Sequence, residues 1–174
     1  MEVKQLLSNK TTVVKQGKTV RLSEIPSDPE IFYTFNVLNC VAISARHATG
    51  PFVFSHIDST YINQFEEGTN TKLHHILLKF PISKKTATEV YVVTAYHSQL
   101  LRKILTELME MGFLASYIHV QVATDMVFLE KKFPDDPLRL TSVEPVFDML
   151  AQPQKACLVV NAKSGHRCTL EYLD

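Results

Sequence analysis

The chain has 174 residues, of which 45% are hydrophobic and 21% charged, as in ordinary soluble globular proteins. Its 18 Lys and Arg residues balance 18 Asp and Glu residues, so no basic field points to nucleic acid or to a lipid surface. No apolar run approaches the roughly 20 residues of a membrane span, and the N-terminal residues lack the apolar core of a signal peptide. The three cysteines match no zinc motif, so we expect a cytoplasmic protein with reduced thiols, no metal and no cofactor.

The predicted elements begin with a polar lead-in, residues 1–30, which we expect to be peripheral to the domain. Short strands are possible there at Val13-Val14 and at Thr19–Leu22. Two strand-like runs follow, Val37–Ala45 and Phe52–Asp58, with a turn-like stretch between them. The alternation of side chains along each run predicts a hairpin with two distinct faces.

The second half of the chain predicts a strand, a helix, a further strand and a closing hairpin. The helix is the clearest element, because its leucines and isoleucine form one apolar stripe and a glycine follows at the position that ends helices. Parallel strands joined through such a helix form a crossover unit. The predicted bounds are Glu89–Tyr96 for the strand, Ser98–Met111 for the helix, Tyr117–Ala123 for the next strand, and Ala156–Ala162 with Arg167–Leu173 for the hairpin.

These elements predict one α+β domain over residues 1–174, with a layered β-sheet and one main amphipathic helix packed on it. Between the two halves, residues 59–72 are polar and are expected to form a loop or a frayed helix. His74–Phe80 could be a short strand or helix that ends at Pro81. Residues 130–155 hold four prolines and are expected to be loop.

Cys40 and His56 are the most informative pair in the sequence. If the predicted hairpin turns about Ala48, midway between them, the thiol faces the imidazole across two strands. Directly opposed residues have Cβ atoms about 4.5–5.5 Å apart. A thiol at that range from an imidazole is the minimal unit of a cysteine nucleophile with its base. The alternative is a structural buried thiol beside a half-exposed histidine.

Four further residues are candidates because of their positions around this pair. Asp58 could orient the imidazole or hold substrate, or it could simply begin the next loop. Thr34 and Asn39 precede the cysteine and could position the histidine or bind a substrate amide, unless they serve only as turn residues. Ser55, next to His56, is a candidate for substrate binding.

A family resemblance rests on Cys40, on the Arg46-His-Ala-Thr-Gly50 turn and on the Ser55-His-Ile-Asp-Ser59 segment. Together they resemble the nucleophile region of the eukaryotic protein N-terminal asparagine amidohydrolase family, which has a comparable cysteine, an Arg-His-Thr-Gly turn and a Thr-His-x-Asp-Gly segment. The later strand–helix–strand and closing hairpin resemble that family more weakly. The resemblance implies that Cys40 is the nucleophile and His56 the general base.

A threonine six residues before the cysteine, here Thr34, also resembles the bacterial chemoreceptor glutamine deamidases. Both families are implied to hydrolyse a side-chain carboxamide, which releases ammonia and leaves a carboxylate. We therefore expect a cysteine-dependent amidohydrolase whose partner is a protein or peptide with an Asn or Gln residue, first of all an N-terminal asparagine. An internal-glutamine deamidase and a catalytically silent binding module of the same fold are the alternatives, and the sequence specifies no oligomeric state.

Overall fold

The structure is a computed structural model that describes residues 10–37, 40–58, 72–77, 80–94, 98–122, 156–165 and 167–170. Nine strands and three α-helices are present in these ranges. The strands are β1 Lys10–Val13, β2 Thr19–Leu22, β3 Glu30–Val37, β4 Val41–Arg46, β5 Phe52–Ile57, β6 Glu89–Thr94, β7 Ile118–Val122, β8 Ala156–Asn161 and β9 Arg167–Leu170. The helices are α1 Lys72–Leu77, α2 Ile82–Lys85 and α3 Gln99–Glu110, and a short 3-10 helix covers Ala115–Tyr117.

The strands form two sheets. One has four strands in the order β1-β3-β8-β9, and the other has five in the order β2-β5-β4-β6-β7. Most neighbouring strands are antiparallel, but β1 pairs with β3 and β6 pairs with β7 in parallel. The parallel β6–α3–β7 unit is the crossover that the sequence predicts, and the class is α+β with layered sheets, as expected.

Aromatic residues fill the layer between the two sheets. Phe32 on β3 packs against Phe52 and Phe54 on β5, with ring centroids 5.4 and 6.5 Å apart. Leu158 and Val160 on β8 and Val93 on β6 belong to the same buried cluster. Because these side chains come from both sheets, their burial holds the sheets together.

The helices cover the other face of the five-stranded sheet. Helix α3 begins at the N-cap Ser98, whose hydroxyl accepts from the backbone N–H of Leu101 at 3.1 Å. Its apolar stripe, including Ile104 and Leu108, packs on the alternate residues of β4, β5 and β6. Gly112 follows the helix with φ +99°. None of the described helices is long and apolar enough to cross a membrane.

The segment expected to be a peripheral lead-in, residues 1–30, contributes two strands where the structure describes it. Strand β1 lies at an edge of the four-stranded sheet, and β2 lies at an edge of the five-stranded sheet. The predicted strand Thr19–Leu22 is therefore confirmed, with its position now fixed beside β5. Residues 14–18 cross from one sheet to the other, and they pass beside His56.

The turn between β4 and β5 is tied to the rest of the fold at the end of the sheets away from Cys40. Arg46 donates to the backbone carbonyls of Ala162, at 2.8 Å, and of Lys163. Lys84 donates to the carbonyl of Gly50 at 2.7 Å. Gly50 has φ +89° and precedes a cis peptide bond to Pro51. A Cβ atom at position 50 would lie 2.7 Å from the backbone oxygen of Ser23, so the close packing of this turn requires glycine.

Candidate active site

The predicted faces of the β4–β5 hairpin are confirmed. Cys40 and Ala42 face the layer between the sheets, together with Phe52 and Phe54 on β5. The alternate residues, including Val41, face the helices. His56 follows Phe52 and Phe54 at the same two-residue spacing, so its imidazole also points between the sheets.

The predicted register of the hairpin is wrong by two positions. His56 pairs with Ala42, and the ladder ends where Val41 pairs with Ile57, so Cys40 lies just outside the paired strands and not opposite His56. The cause is the turn, which contains the five residues between Arg46 and Phe52 and has its centre one residue later than the sequence predicts. Cys40 precedes Ala42, the partner of His56, by two residues and belongs to the same buried cluster as Ala42.

Thr34 holds the imidazole from the opposite sheet. Its Oγ1 donates to the carbonyl oxygen of Val14 at 2.6 Å and lies 2.8 Å from His56 Nδ1. A hydroxyl has one proton, and Thr34 gives it to Val14, so the same oxygen accepts from an N–H at Nδ1. In the neutral ring the lone pair is then on Nε2, which is the nitrogen available as a base.

Burial keeps this histidine neutral. His56 is 2% exposed and Cys40 is 6% exposed. Desolvation lowers the pKa of His56 from 6.5 to about 4, and the negative charge of Asp58 opposes the shift without cancelling it. Nε2 has no hydrogen-bond partner among the residues that the structure describes. A buried nitrogen with a free lone pair costs free energy unless it meets a donor.

Asp58 lies at the end of β5 and is partly exposed. Its Oδ2 accepts from the side-chain amide of Gln16 at 2.7 Å. Gly17, the residue after Gln16, donates its backbone N–H to the carbonyl of His56 at 2.8 Å. The carbonyl of Lys18 in turn accepts from the N–H of His56 at 3.1 Å. The crossing segment therefore holds the histidine backbone and the aspartate side chain together.

The structure does not bring all the candidates to this place. Ser55 points to the opposite face of β5 from His56, and its hydroxyl lies 2.7 Å from that of Thr19. It also donates to the carbonyl of Lys18 at 3.3 Å, so it joins β5 to the crossing segment. Asn39 lies outside the described residues. Cys40, His56, Thr34 and Asp58 remain as the site.

Three residues near the site are missing from the sequence prediction. Val14 contributes only a backbone carbonyl, for which a sequence gives no signal. Gln16 lies far from Asp58 in the chain and carries no local motif. Thr94, at the end of β6, donates to the carbonyl of Cys40 at 3.1 Å and so fixes the backbone of the candidate nucleophile.

The arrangement has the parts of a thiol nucleophile and its base: a cysteine, a histidine with a defined tautomer, and a hydroxyl that orients the ring. Within the described ranges, no group of three or more His, Cys, Asp and Glu side chains could hold a metal ion. No protein-family model matches the chain, and no curated protein sequence matches it significantly. The residues and their contacts must therefore carry the argument about function.

Proposed function

We propose that the protein is a cysteine-dependent amidohydrolase that removes ammonia from a side-chain carboxamide of a protein or peptide. The observation that carries the proposal is the hydrogen bond between Thr34 and His56 Nδ1, because it leaves the lone pair on Nε2. Cys40 lies in the same layer and is the one cysteine in the sequence of the hairpin. A base that is held in one tautomer beside a thiol is what nucleophilic catalysis requires.

The reaction begins from a neutral thiol and a neutral imidazole, since the pKa of His56 is about 4. Nε2 takes the proton from Cys40 as the sulfur attacks the carboxamide carbon, and the protonated ring then gives that proton to the leaving nitrogen. Ammonia departs and a thioester remains. Water, deprotonated by Nε2, attacks the thioester, so the products are a carboxylate and the free thiol.

The burial of Nε2 is compatible with this sequence. The substrate has to reach Cys40, which is 6% exposed, whereas His56 is 2% exposed and would act from within the layer between the sheets. A dry site strengthens the interaction between the forming thiolate and the forming imidazolium. Because the pKa of His56 is about 4, the resting protein would hold no ion pair, and proton transfer would accompany the formation of the carbon–sulfur bond.

N-terminal asparagine is the substrate proposed first, because of the resemblance of the hairpin and its turn. An internal glutamine is the second candidate, and one contact favours it. Thr34, rather than Asp58, holds Nδ1, and a threonine at this position is what resembles the glutamine deamidases. A silent binding module is the alternative outside enzymes, and the nearly complete burial of Nε2 is the observation that favours it.

The experiment is ammonia release from matched peptides that begin with Asn or Gln, or carry either residue internally, each with a free and an acetylated N-terminus. The native protein is expected to release ammonia from at least one peptide, and Cys40→Ala to release none. Cys40→Ser, which keeps the shape of the side chain, is the matched control and should be strongly impaired.

A second measurement keeps the proposal open to refutation if no peptide is turned over. Alkylation of Cys40 by iodoacetamide should be slower in His56→Gln than in the native protein, because the glutamine cannot take the thiol proton. Ammonia release that survives Cys40→Ala would overturn the proposal. The absence of ammonia together with equal alkylation rates would establish a silent module instead.

A further inference from the structure

Strand β7 ends the five-stranded sheet, and its outer edge is open in the part of the chain that the structure describes. The order of strands is β2-β5-β4-β6-β7, and β6 pairs with β7 along the whole of Ile118–Val122. The backbone N–H and C=O groups of β7 that point away from β6 therefore face no strand among the described residues. A row of such groups is a template for pairing with a further strand.

The sequence of β7 differs from the sequences of the other three strands that end the two described sheets. Each of those strands carries a basic residue: Lys10 in β1, Arg21 in β2 and Arg167 in β9. Strand β7 reads Ile-His-Val-Gln-Val and contains no lysine, arginine, acidic residue or proline. Charged side chains and proline are the usual protection of an edge strand against pairing. The sequence of β7 therefore permits a pairing that the other edges oppose.

Large hydrophobic side chains are exposed in β7 and just before it. Val120, in the middle of the strand, is 39% exposed, although Ile118 and Val122 on the same face pack against the core beneath the helices. Leu114 and Tyr117, in the segment that leads into the strand, are 41% and 38% exposed. Exposed apolar side chains gathered beside an open strand edge indicate a contact with another protein chain.

The order of residues in β7 makes the strand complementary to a second copy of itself. When two copies run antiparallel with Val120 opposite Val120, Ile118 lies opposite Val122 and His119 lies opposite Gln121. Side chains at directly opposed positions lie on the same face of a sheet and contact each other. Apolar residues therefore meet apolar residues on the face that carries the helices, and polar residues meet polar residues on the other face.

We propose that the protein forms a twofold-symmetric dimer in which the β7 strands of two copies pair antiparallel about Val120. The two five-stranded sheets then become one continuous ten-stranded sheet. His119 Nε2 lies 2.6 Å from Glu89 Oε2, and its ring stacks on Tyr91, so this imidazole is paired within its own chain before the second copy arrives. The dimer is independent of the reaction proposed at Cys40, because β6 separates β7 from β4, the strand that Cys40 precedes.

Light scattering of the native protein over a dilution series tests for the dimer. One strand pair with a few apolar side chains is a small interface, so we expect a Kd of about 10 μM. The average mass should therefore rise toward twice the 19.7 kDa of one chain at a protein concentration of about 100 μM. Val120→Lys places two ammonium groups opposite each other and should raise the Kd about tenfold or more. Ile82→Lys is the matched control, because Ile82 is 83% exposed on α2 and gains the same charge, and it should dimerise like the native protein.

Cysteine cross-linking tests the register of the two strands. Directly opposed residues of an antiparallel pair lie within the Cα separation of about 4.4–6.8 Å that a disulfide spans. Val120→Cys should therefore give a covalent dimer when it is oxidised with oxidised glutathione. Gln121→Cys should give little, because each introduced thiol faces the histidine of the second copy and not the other thiol. The native protein, treated in the same way, gives the background from its own three cysteines.

Native protein that stays monomeric throughout the dilution series would overturn the inference and leave the edge of β7 to a strand from a different protein. A dimer that persists in Val120→Lys would overturn it as well, because the contact would then lie elsewhere. If circular dichroism shows that Val120→Lys does not fold, the cross-linking decides, and equal yields at positions 120 and 121 would refute the pairing about Val120. Ammonia release by a strictly monomeric protein would refute the dimer and leave the proposed function standing.

Discussion

Replacing Thr34 with valine removes a hydroxyl that makes two buried hydrogen bonds and changes almost nothing else in size. The hydroxyl donates to the carbonyl of Val14 and accepts from Nδ1 of His56, at 2.6 and 2.8 Å. Thr34 is 1% exposed, so water cannot replace the lost contacts without opening the layer between the sheets. Both the carbonyl and the ring nitrogen would then be buried without a partner.

Each polar group left unpaired in this way costs about 1–3 kcal/mol, so the variant should lose about 2–6 kcal/mol of unfolding free energy. That is a large share of the about 5–15 kcal/mol that stabilises a typical domain. Activity should fall as well, chiefly in kcat, because the His56 ring would no longer be held in the tautomer with its lone pair on Nε2. Urea unfolding and steady-state ammonia release measure the two effects separately.

Thr34→Ser is the matched control. It keeps the Oγ atom and both hydrogen bonds but deletes one methyl group, which costs about 1 kcal/mol. The serine variant should therefore keep most of the stability and of kcat. If valine and serine at this position prove equally stable, or if valine costs less than about 0.5 kcal/mol, the hydroxyl does not satisfy the two buried groups as described.

Three further results are expected. The pKa of His56 falls from 6.5 to about 4 on folding, so its contribution to stability is complete above pH 6.5 and is lost as the pH falls toward 4. The free energy of unfolding should therefore drop by about 3 kcal/mol between these pH values. His56→Gln should make the free energy of unfolding depend less on pH over the same range. Gly50→Ala should lower the melting temperature far more than Gly17→Ala, since both have positive φ but only position 50 meets backbone within 3.0 Å; equal losses would contradict the close packing. His74→Ala should lower the free energy of unfolding by about 1–3 kcal/mol, because it removes the partner of Glu107 Oε1, which lies 2.6 Å from His74 Nδ1. Burial raises the pKa of Glu107, and His74 opposes this shift. Adding Glu107→Gln should recover part of the loss in a double-mutant cycle, whereas strict additivity of the two substitutions would argue against coupling.

The faces of the central hairpin could be predicted from the sequence because side chains alternate strictly along a strand. Cys40 and His56 each lie an even number of residues from neighbours that face the same layer. The register could not be predicted in the same way, because it depends on the number of residues in the turn. Moving the centre of the turn by one residue shifts the partner of every residue by two positions. The faces of the strands therefore stay as predicted, whereas the residue opposite His56 is Ala42 and not Cys40.

The four-stranded sheet supplies contacts that the sequence does not predict. Strand β3 covers Glu30–Val37, and its aromatic and β-branched residues are typical of a strand. That strand carries Thr34 to within hydrogen-bonding distance of His56 on the other sheet. A contact between two sheets leaves no periodic pattern in the sequence. Val14 contributes only its backbone carbonyl, which accepts from Thr34 and is present in every residue. The threonine was a candidate only through its position before the cysteine.

The site depends on both sheets, and this joins its chemistry to the stability of the fold. His56 belongs to the five-stranded sheet and Cys40 directly precedes its strand β4, whereas Thr34 and the carbonyl that fixes it belong to the four-stranded side. Separating the sheets would hydrate Nε2, raise the pKa of His56 toward its ordinary value and release the tautomer at once. The residues 14–18 that cross between the sheets oppose this, because they bind β3 at one end and β5 at the other. Substitutions that loosen this crossing should therefore raise the pKa of His56 before they unfold the protein.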